Sequence, residues 1–271
     1  VILFCSCLAD LQASGARLVV DAPRRFMSLF QRSFSQAEVV CLEDIVDPTV
    51  WLATRTDIDL QVPMGSLPRW LRAQEHELPR AAGFLLADPQ RVAHWRGVLA
   101  GDGSPVIGIC WRGGLAITGK HQRSLTAEAL ASTIAATGAR LVSLQHGDTR
   151  GELEDLAARR GLQFAARLDG YSDFDELAAL ASACDGIVSV CSTLAHLTGA
   201  LGLPGLVLVP HATNWRYGRS GERSPWYASL TLARQERARD WSAPLTRVPS
   251  WVGSLVCDTG IGSAYPAPGL N

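Results

Sequence analysis

The feature that most constrains this chain is the alternation, from Val106 to Val209, of short apolar runs with helix-forming stretches. Val106-Ile-Gly-Ile-Cys-Trp111 reads as a strand that runs into a glycine pair. Thr126 opens a helix that stops at Gly138, and Ala139 to Gln145 is the next strand. Arg150 to Arg160 is a helix closed by Gly161. Ser172 or Asp173 caps another helix, with carboxylates in its first turn where the helix dipole favours them. Gly186 to Val190 is almost continuously apolar, as a strand covered on both faces requires. A helix from Thr193 to Leu201 and a strand from Gly205 to Val209 follow. Strands and helices alternating at this spacing build βαβ units around a parallel sheet.

The first ninety residues carry the same alternation more loosely. Leu3 to Ala13 has helical spacing, Arg17 to Asp21 reads as a strand, Pro23 to Phe34 as a helix and Ala37 to Leu42 as a strand. A third strand is expected over Asp57 to Val62. From Leu67 to Ser104 prolines and glycines punctuate polar sequence, which suits a crossing between two lobes with one helix around Pro89 to Ala100. The chain of 271 residues is long enough for one large or two medium α/β units. The expected division is a first lobe over 1–90, a second lobe over 91–248, and an irregular tail over 249–271 rich in Gly, Pro and Ser.

Charge and cysteine usage narrow the partners. The formal net charge is −1 and the pI about 6.6, so nothing argues for nucleic acid or an anionic membrane. Seven cysteines, an odd number without a C-x-x-C pair, lie mostly within apolar runs. Buried thiols in a reducing cytosol are expected rather than a disulfide framework or a zinc site, which makes the expected location cytoplasmic. No apolar run approaches the roughly 18 residues that a membrane span needs. The opening Val1-Ile-Leu-Phe-Cys5 lacks the charged leader of a signal peptide.

Polar residues gather at three strand ends, all C-terminal, the edge where open α/β sheets bind ligands. At the first, Trp111-Arg112-Gly113-Gly114 is followed by a loop with Lys120, His121 and Arg123. Its glycines let backbone N–H groups approach an anion, and its cations add charge-assisted bonds to phosphate. Lys120 stands alone among 24 arginines; the alternative is a solvated basic loop. At the second, Cys191-Ser192-Thr193 turns a strand directly into a helix whose free N–H groups suit an anion, and His196 lies one turn on. The alternative there is a simple N-cap with a half-buried core histidine. The third end, Gln145-His146-Gly147-Asp148, suits a base or ribose contact or a plain turn equally. No G-x-G-x-x-G, P-loop or G-x-S-x-G elbow is present. Cys191 and His196 lack the third partner that a thiol nucleophile would need.

Taken in order, Ile107-Gly-Ile-Cys-Trp-Arg-Gly-Gly114, Arg123-Ser-Leu125, Val142-Ser-Leu-Gln145, the run from Asp185 to Gly202, and Ser224-Pro-Trp-Tyr227 resemble the glycosyltransferase region that follows tetratricopeptide repeats in many bacterial proteins. They are similar, more distantly, to the heptosyltransferases of lipopolysaccharide synthesis and to protein O-GlcNAc transferases. In the first lobe Gln61-Val-Pro-Met-Gly-Ser-Leu-Pro68 is the best match. The resemblance implies an α/β fold of two Rossmann-like lobes, the GT-B architecture, with the first lobe truncated at its first strand. It implies that a Gly-x-Gly-Asp turn, whose Asp is the proposed base in heptosyltransferases, stands upstream of Val1. Relatives often carry Asp where this chain has Cys191.

The implied activity is metal-independent transfer of a sugar from a nucleotide-diphosphate donor to a hydroxyl of a glycan, a lipid-linked sugar or a protein. The nucleotide sugar is substrate and no cofactor is expected. Trp111, Arg112, Gly113, Gly114, Lys120, Arg123, Gln145, Ser192, Thr193 and His196 are the expected donor-binding residues. Asp10, His76 and His94 are possible bases that nothing in the sequence selects. The competing expectation is a nucleotide-sugar-binding or protein-interaction module that keeps the fold without turnover.

Overall fold

The computed structural model describes residues 1–78, 83–114, 119–168 and 173–258. The chain opens with a 3-10 turn, Ile2–Cys5, leading into α1 (Ser6–Ala13). Strand β1 (Val19–Asp21), helix α2 (Met27–Ser33) and strand β2 (Glu38–Val40) form one βαβ unit, and β1 and β2 pair in parallel. Helices α3 (Pro48–Thr54), α4 (Pro68–Leu71) and α5 (Pro89–Val98) follow. Asp47 and Asp88 cap α3 and α5, each accepting two first-turn N–H groups just ahead of a proline at a position where no donor is lost.

The second unit is a six-stranded parallel sheet in the order β5-β4-β3-β6-β7-β8. Its strands are β3 (Val106–Cys110), β4 (Arg140–Ser143), β5 (Phe164–Arg167), β6 (Gly186–Val190), β7 (Gly205–Val209) and β8 (Leu230–Arg234). The helices are α6 (Ala127–Ala135), α7 (Arg150–Arg160), α8 (Phe174–Ser182), α9 (Thr193–Ala200) and α10 (Ser242–Asp258). One face carries Ile107, Ile109, Val188 and Leu206 against α6, α7 and α10. The other carries Val106, Ile187 and Val207 against α8, α9 and the first unit. Side chains alternate faces along each strand, so both faces of the sheet are packed. Gly108 sits where a Cβ would come within 2.5 Å of Leu144 and 2.6 Å of Ile187.

The βαβ order expected from the sequence is present, with three differences. Residues 57–62 join no sheet among the described residues, and Leu60 is 86% exposed, so their alternation has no core to face. The strands β5 and β8, at the two sheet edges, are not legible in the sequence: β5 has four residues, none of them buried, and β8 interrupts its apolar positions with Thr231 and Arg234. The irregular tail expected from residue 249 instead continues α10 to Asp258, with Pro249 inside the helix. Val248 and Val252 are buried on the sheet, and Trp251 and Leu255 close on Gly186, so packing outweighs the hydrogen bond the proline cannot make. Residues 259–271 and the candidate cap Ser172 lie outside the described residues; Asp173 accepts from Asp175 and Glu176 as N-cap of α8. No described helix is long and apolar enough to cross a membrane.

Candidate functional site

Strand order reverses between β3 and β6: β3 leads outward to β4 and β5, β6 to β7 and β8. In open α/β sheets, ligands bind at the carboxyl ends of the strands flanking such a switch point. Here those ends are Trp111–Gly114 and Cys191–Thr193, two of the three segments singled out in the sequence. The third, at Gln145, lies beside them at the end of β4.

Gln145 binds the edge together. It is 4% exposed, and its Oε1 accepts from the backbone N–H groups of Trp111 at 3.0 Å and Arg112 at 2.7 Å. Its Nε2 donates to the carbonyls of His146 and Arg112 at 3.2 and 3.4 Å. The Cys110 thiol lies 3.5 Å from the Gln145 oxygen and 3.7 Å from Ser192 Oγ, and Ser192 meets Ser189 Oγ at 2.9 Å. A chain of polar contacts therefore crosses the switch point beneath the ligand edge. Burial raises the Cys110 thiol, which stays protonated.

Gly113 is required for a reason the sequence did not show. A Cβ there would lie 2.4 Å from the Cys191 carbonyl oxygen, so the two loops approach closer than any side chain permits. Its N–H donates to Ser124 Oγ at 3.3 Å, and Ser124 donates in turn to the Lys120 carbonyl at 2.7 Å, folding the basic loop back onto the edge. Gly114, exposed, has φ of +78°. Residues 115–118 are outside the described set.

Ser192 is the N-cap of α9, its Oγ accepting from Ala195 at 3.4 Å. Thr193, exposed, is the first residue of α9, so the opening of the helix lies at this strand end. His196 turns the other way. Its ring stacks on Tyr217 at 5.8 Å, and its Nδ1 meets Tyr227 Oη at 3.2 Å. Burial, with Arg216 adding to it, pushes the imidazole down to about 3, so it is neutral at physiological pH. Cys191 is buried, and burial pushes its thiol up to about 12 against the opposing pull of Tyr217 and Arg123.

The basic residues differ in what already holds them. Arg112 pairs with Glu152 on α7 and lies over the Trp111 ring at 5.2 Å. Lys120 is exposed and makes no ion pair among the described residues. Arg123 is half-buried beside Cys191.

Two arginines that the sequence does not single out act electrostatically on residues around these strand ends. Arg25, from the first lobe, lies over the rings of Phe26 and Phe174 at 5.4 and 5.3 Å and, after burial, is the second cause lowering His146. Arg216, in the loop after β7, lies over Trp215 and acts on His196 and both buried tyrosines. The dibasic Arg24-Arg25 follows the end of β1, a signal of the kind used for the second lobe. Of the possible bases, Asp10 is engaged by Arg72, while His76 and His94 are exposed. No group of three or more His, Cys, Asp or Glu side chains among the described residues is placed to hold a metal ion.

No family model matches the chain. Protein FlbA of Caulobacter vibrioides (strain ATCC 19089 / CIP 103742 / CB 15) is 28% identical over 261 residues, which is 91% of this chain and 43% of FlbA. The chain thus spans less than half the length of that relative. Among solved structures, a glycosyl transferase family 9 protein from Veillonella parvula DSM 2008 gives a TM-score of 0.47 at 14% identity, over 65% of this chain and 55% of that one. E. coli ADP-heptose lps heptosyltransferase II gives a TM-score of 0.61 at 15% identity, with 95% of each chain covered. The fold of this chain is therefore the α/β GT-B arrangement that it shares with that heptosyltransferase.

Proposed function

We propose that this chain is the glycosyltransferase portion of a larger protein, moving a sugar from a nucleotide-diphosphate donor to a hydroxyl acceptor. The observation that carries this reading is the switch-point edge: the glycine turn at Gly113 closed against Cys191, Arg123 beside Cys191, and α9 opening at Ser192 and Thr193, with the exposed Lys120 on the same basic loop. In this reading residues 91–248 hold the donor and residues 1–90 face the acceptor. A glycan, a lipid-linked sugar and a protein are the candidate acceptors.

The acceptor oxygen attacks the anomeric carbon as the bond to the diphosphate breaks, and the electron pair leaves on a phosphate oxygen. Charge then grows on the diphosphate, where Lys120, Arg123 and the start of α9 stabilise it without a metal. Such preorganised donors supply a large part of catalysis, and losing one costs about 3 kcal/mol in the chemical step. Gln145 acts as a positioning residue by fixing the amides of Trp111 and Arg112. Arg112 adds charge but must exchange Glu152 for the ligand. The acceptor proton passes to a base that none of Asp10, His76 and His94 is assigned to supply.

Calorimetric titration with UDP, GDP, ADP and CMP, paired with Arg123→Ala, tests the reading. One nucleotide should bind, and the variant should lose on the order of a hundredfold in affinity if two phosphate contacts go with the guanidinium. A folded protein that binds none of the four would refute the donor site and favour a fold kept for protein interaction.

A further inference from the structure

A second cavity lies away from the switch point, between residues 68–78 of the first lobe and residues 215–226 of the loop between β7 and β8. It has a volume of about 660 Å3, within the range of small-molecule sites. Arg72, Arg219 and Arg223 line it with Trp215 and Trp226, and no carboxylate is among its lining residues. Arg72 is accounted for by the first lobe: it pairs with Asp10 and donates to the Leu71 carbonyl at 2.5 Å. Its side chain is 9% exposed, and its Nε is buried without a hydrogen-bond partner. Arg219 and Arg223 are exposed and form no ion pair among the described residues. The nearest carboxylate in sequence, Glu222, is taken by Arg247 at 2.7 and 2.8 Å. The cavity therefore carries a cationic excess that the protein does not neutralise, in a chain whose net charge is −1.

The loop bearing these arginines is held from beneath. Arg234 Nε donates to the Gly221 carbonyl at 2.7 Å, its Nη1 to Gly218 at 3.3 Å and its Nη2 to Ser220 at 3.2 Å. Glu222 accepts from the Leu232 N–H at 2.7 Å, and Arg223 bridges Thr231 antiparallel to β8. Ser224 Oγ accepts from Trp226 N–H at 3.3 Å, fixing the turn that sets the indole. Trp215 and Trp226 meet edge to face at 5.9 Å. A guanidinium recognises carboxylate and phosphate through paired N–H groups. An indole offers a broad apolar face to the C–H side of a sugar ring. Trp215, 60% exposed, brings that face to the cavity that Arg219 and Arg223 line, with the buried Trp226 packed edge to face behind it.

We infer that this cavity is an anion subsite for a carboxylate- or phosphate-bearing saccharide on the acceptor side; the acceptor role rests on the glycosyl-transfer reading, the site itself on the cavity. Calorimetry on the full chain with glucuronate, glucose 6-phosphate, inorganic phosphate and glucose tests it. Wild type should bind at least one acidic sugar about tenfold more tightly than glucose, and Arg219→Ala/Arg223→Ala should lose about tenfold for that sugar. Which of glucuronate and glucose 6-phosphate binds separates a carboxylate from a phosphate ligand. The double variant should keep its thermal transition and its nucleotide affinity, whereas Arg123→Ala should lose the nucleotide and keep the acidic sugar. Acidic-sugar binding without any nucleotide binding would sustain the subsite while removing the glycosyltransferase reading. Equal affinity for glucose, binding undiminished in the double variant, no binding of either acidic sugar, or inorganic phosphate binding as tightly as the sugars would each overturn the inference.

Discussion

The six-stranded sheet and the two-stranded sheet differ in what holds them. Strands β3, β6 and β7 are buried at every one of their five positions. At Gly108, Gly186 and Gly205 neighbouring side chains close onto the backbone, which leaves no room for a Cβ. In β1 and β2 only Val20 is buried, and two strands alone make a marginal sheet. The apolar side chains of the first lobe, among them Ile2, Leu3, Phe26 and Phe30, belong to one core with Phe174, Leu177 and Cys191 of the second. The crossing segment adds backbone bonds: Phe84 and Leu85 both donate to the Ala200 carbonyl, at 2.7 and 2.9 Å. The second lobe thus maintains its ligand edge by itself, whereas the first lobe is kept in place by docking. Arg25 lies over Phe174 and acts on His146 only because that docking holds.

The largest expected effect comes from breaking the dock. Phe174 is 1% exposed, and its ring lies 4.3 Å from that of Phe26. Nearby Arg32 donates to Asp175 at 3.3 Å, and Arg91 pairs with Asp173 at 2.7 Å and Glu176 at 2.8 Å. Phe174→Ala should destabilise the protein by about 3–5 kcal/mol through the cavity it leaves. In hydrogen exchange, protection should fall first across β1 and α2 while β6 and β7 stay protected. Simultaneous loss in both sheets would show that the two lobes unfold as one unit and end the contrast.

The same contrast explains what the sequence made legible. β6 and β7 could be read to the residue because a strand buried on both faces is a nearly unbroken apolar run. The run from 57 to 62 alternates as a strand should, yet no neighbour among the described residues pairs with it, and pairing is a tertiary event that local pattern does not contain. Ser192 and Thr193 could be placed because a strand end followed by hydroxyls and a helix is a local signal. Arg25 and Arg216 cannot be joined locally, since 191 positions separate the two in the chain and only the docked lobes bring both to act on the Val1 amine. Gly113 reads locally as a route for anions, but its closest constraint is the Cys191 carbonyl, just past the end of β6 and far along the sequence. The helical run through Pro249 is not legible locally, because composition marks a breaker while Val248, Val252 and Leu255 supply the packing that overrides it.

A smaller effect should sharpen the claim that the second lobe holds its own edge. Gln145→Ala removes the acceptor for the N–H groups of Trp111 and Arg112, both at a buried edge. Leaving such donors unpaired should cost about 2 kcal/mol. The amides of Trp111 and Arg112 should exchange faster than in wild type, with β1 and β2 unchanged. Unchanged exchange at those two amides would mean that the strand end keeps its shape without the glutamine.

The smallest effect probes how dry the contact between the lobes is. His196 on α9 packs beside the Ile2–Cys5 turn of the first lobe, between Tyr217 and Tyr227. Its folded value of about 3 lies below the roughly 6.5 of a free histidine. Between those values the unfolded chain binds a proton that the folded chain refuses, so stability falls as pH drops through about 6.5 and keeps falling toward the folded value. From pH 7 to pH 5.5 this residue alone should cost about 1 kcal/mol. His196→Gln removes the titration and leaves His146, also lowered by burial, common to both proteins. The stability advantage of wild type over the variant in urea should therefore shrink by about 1 kcal/mol at the lower pH. A gap that holds constant would place water at the imidazole. The first lobe would then rest on the second through its aromatic and ionic contacts near Phe174, with no sealed seam along α9.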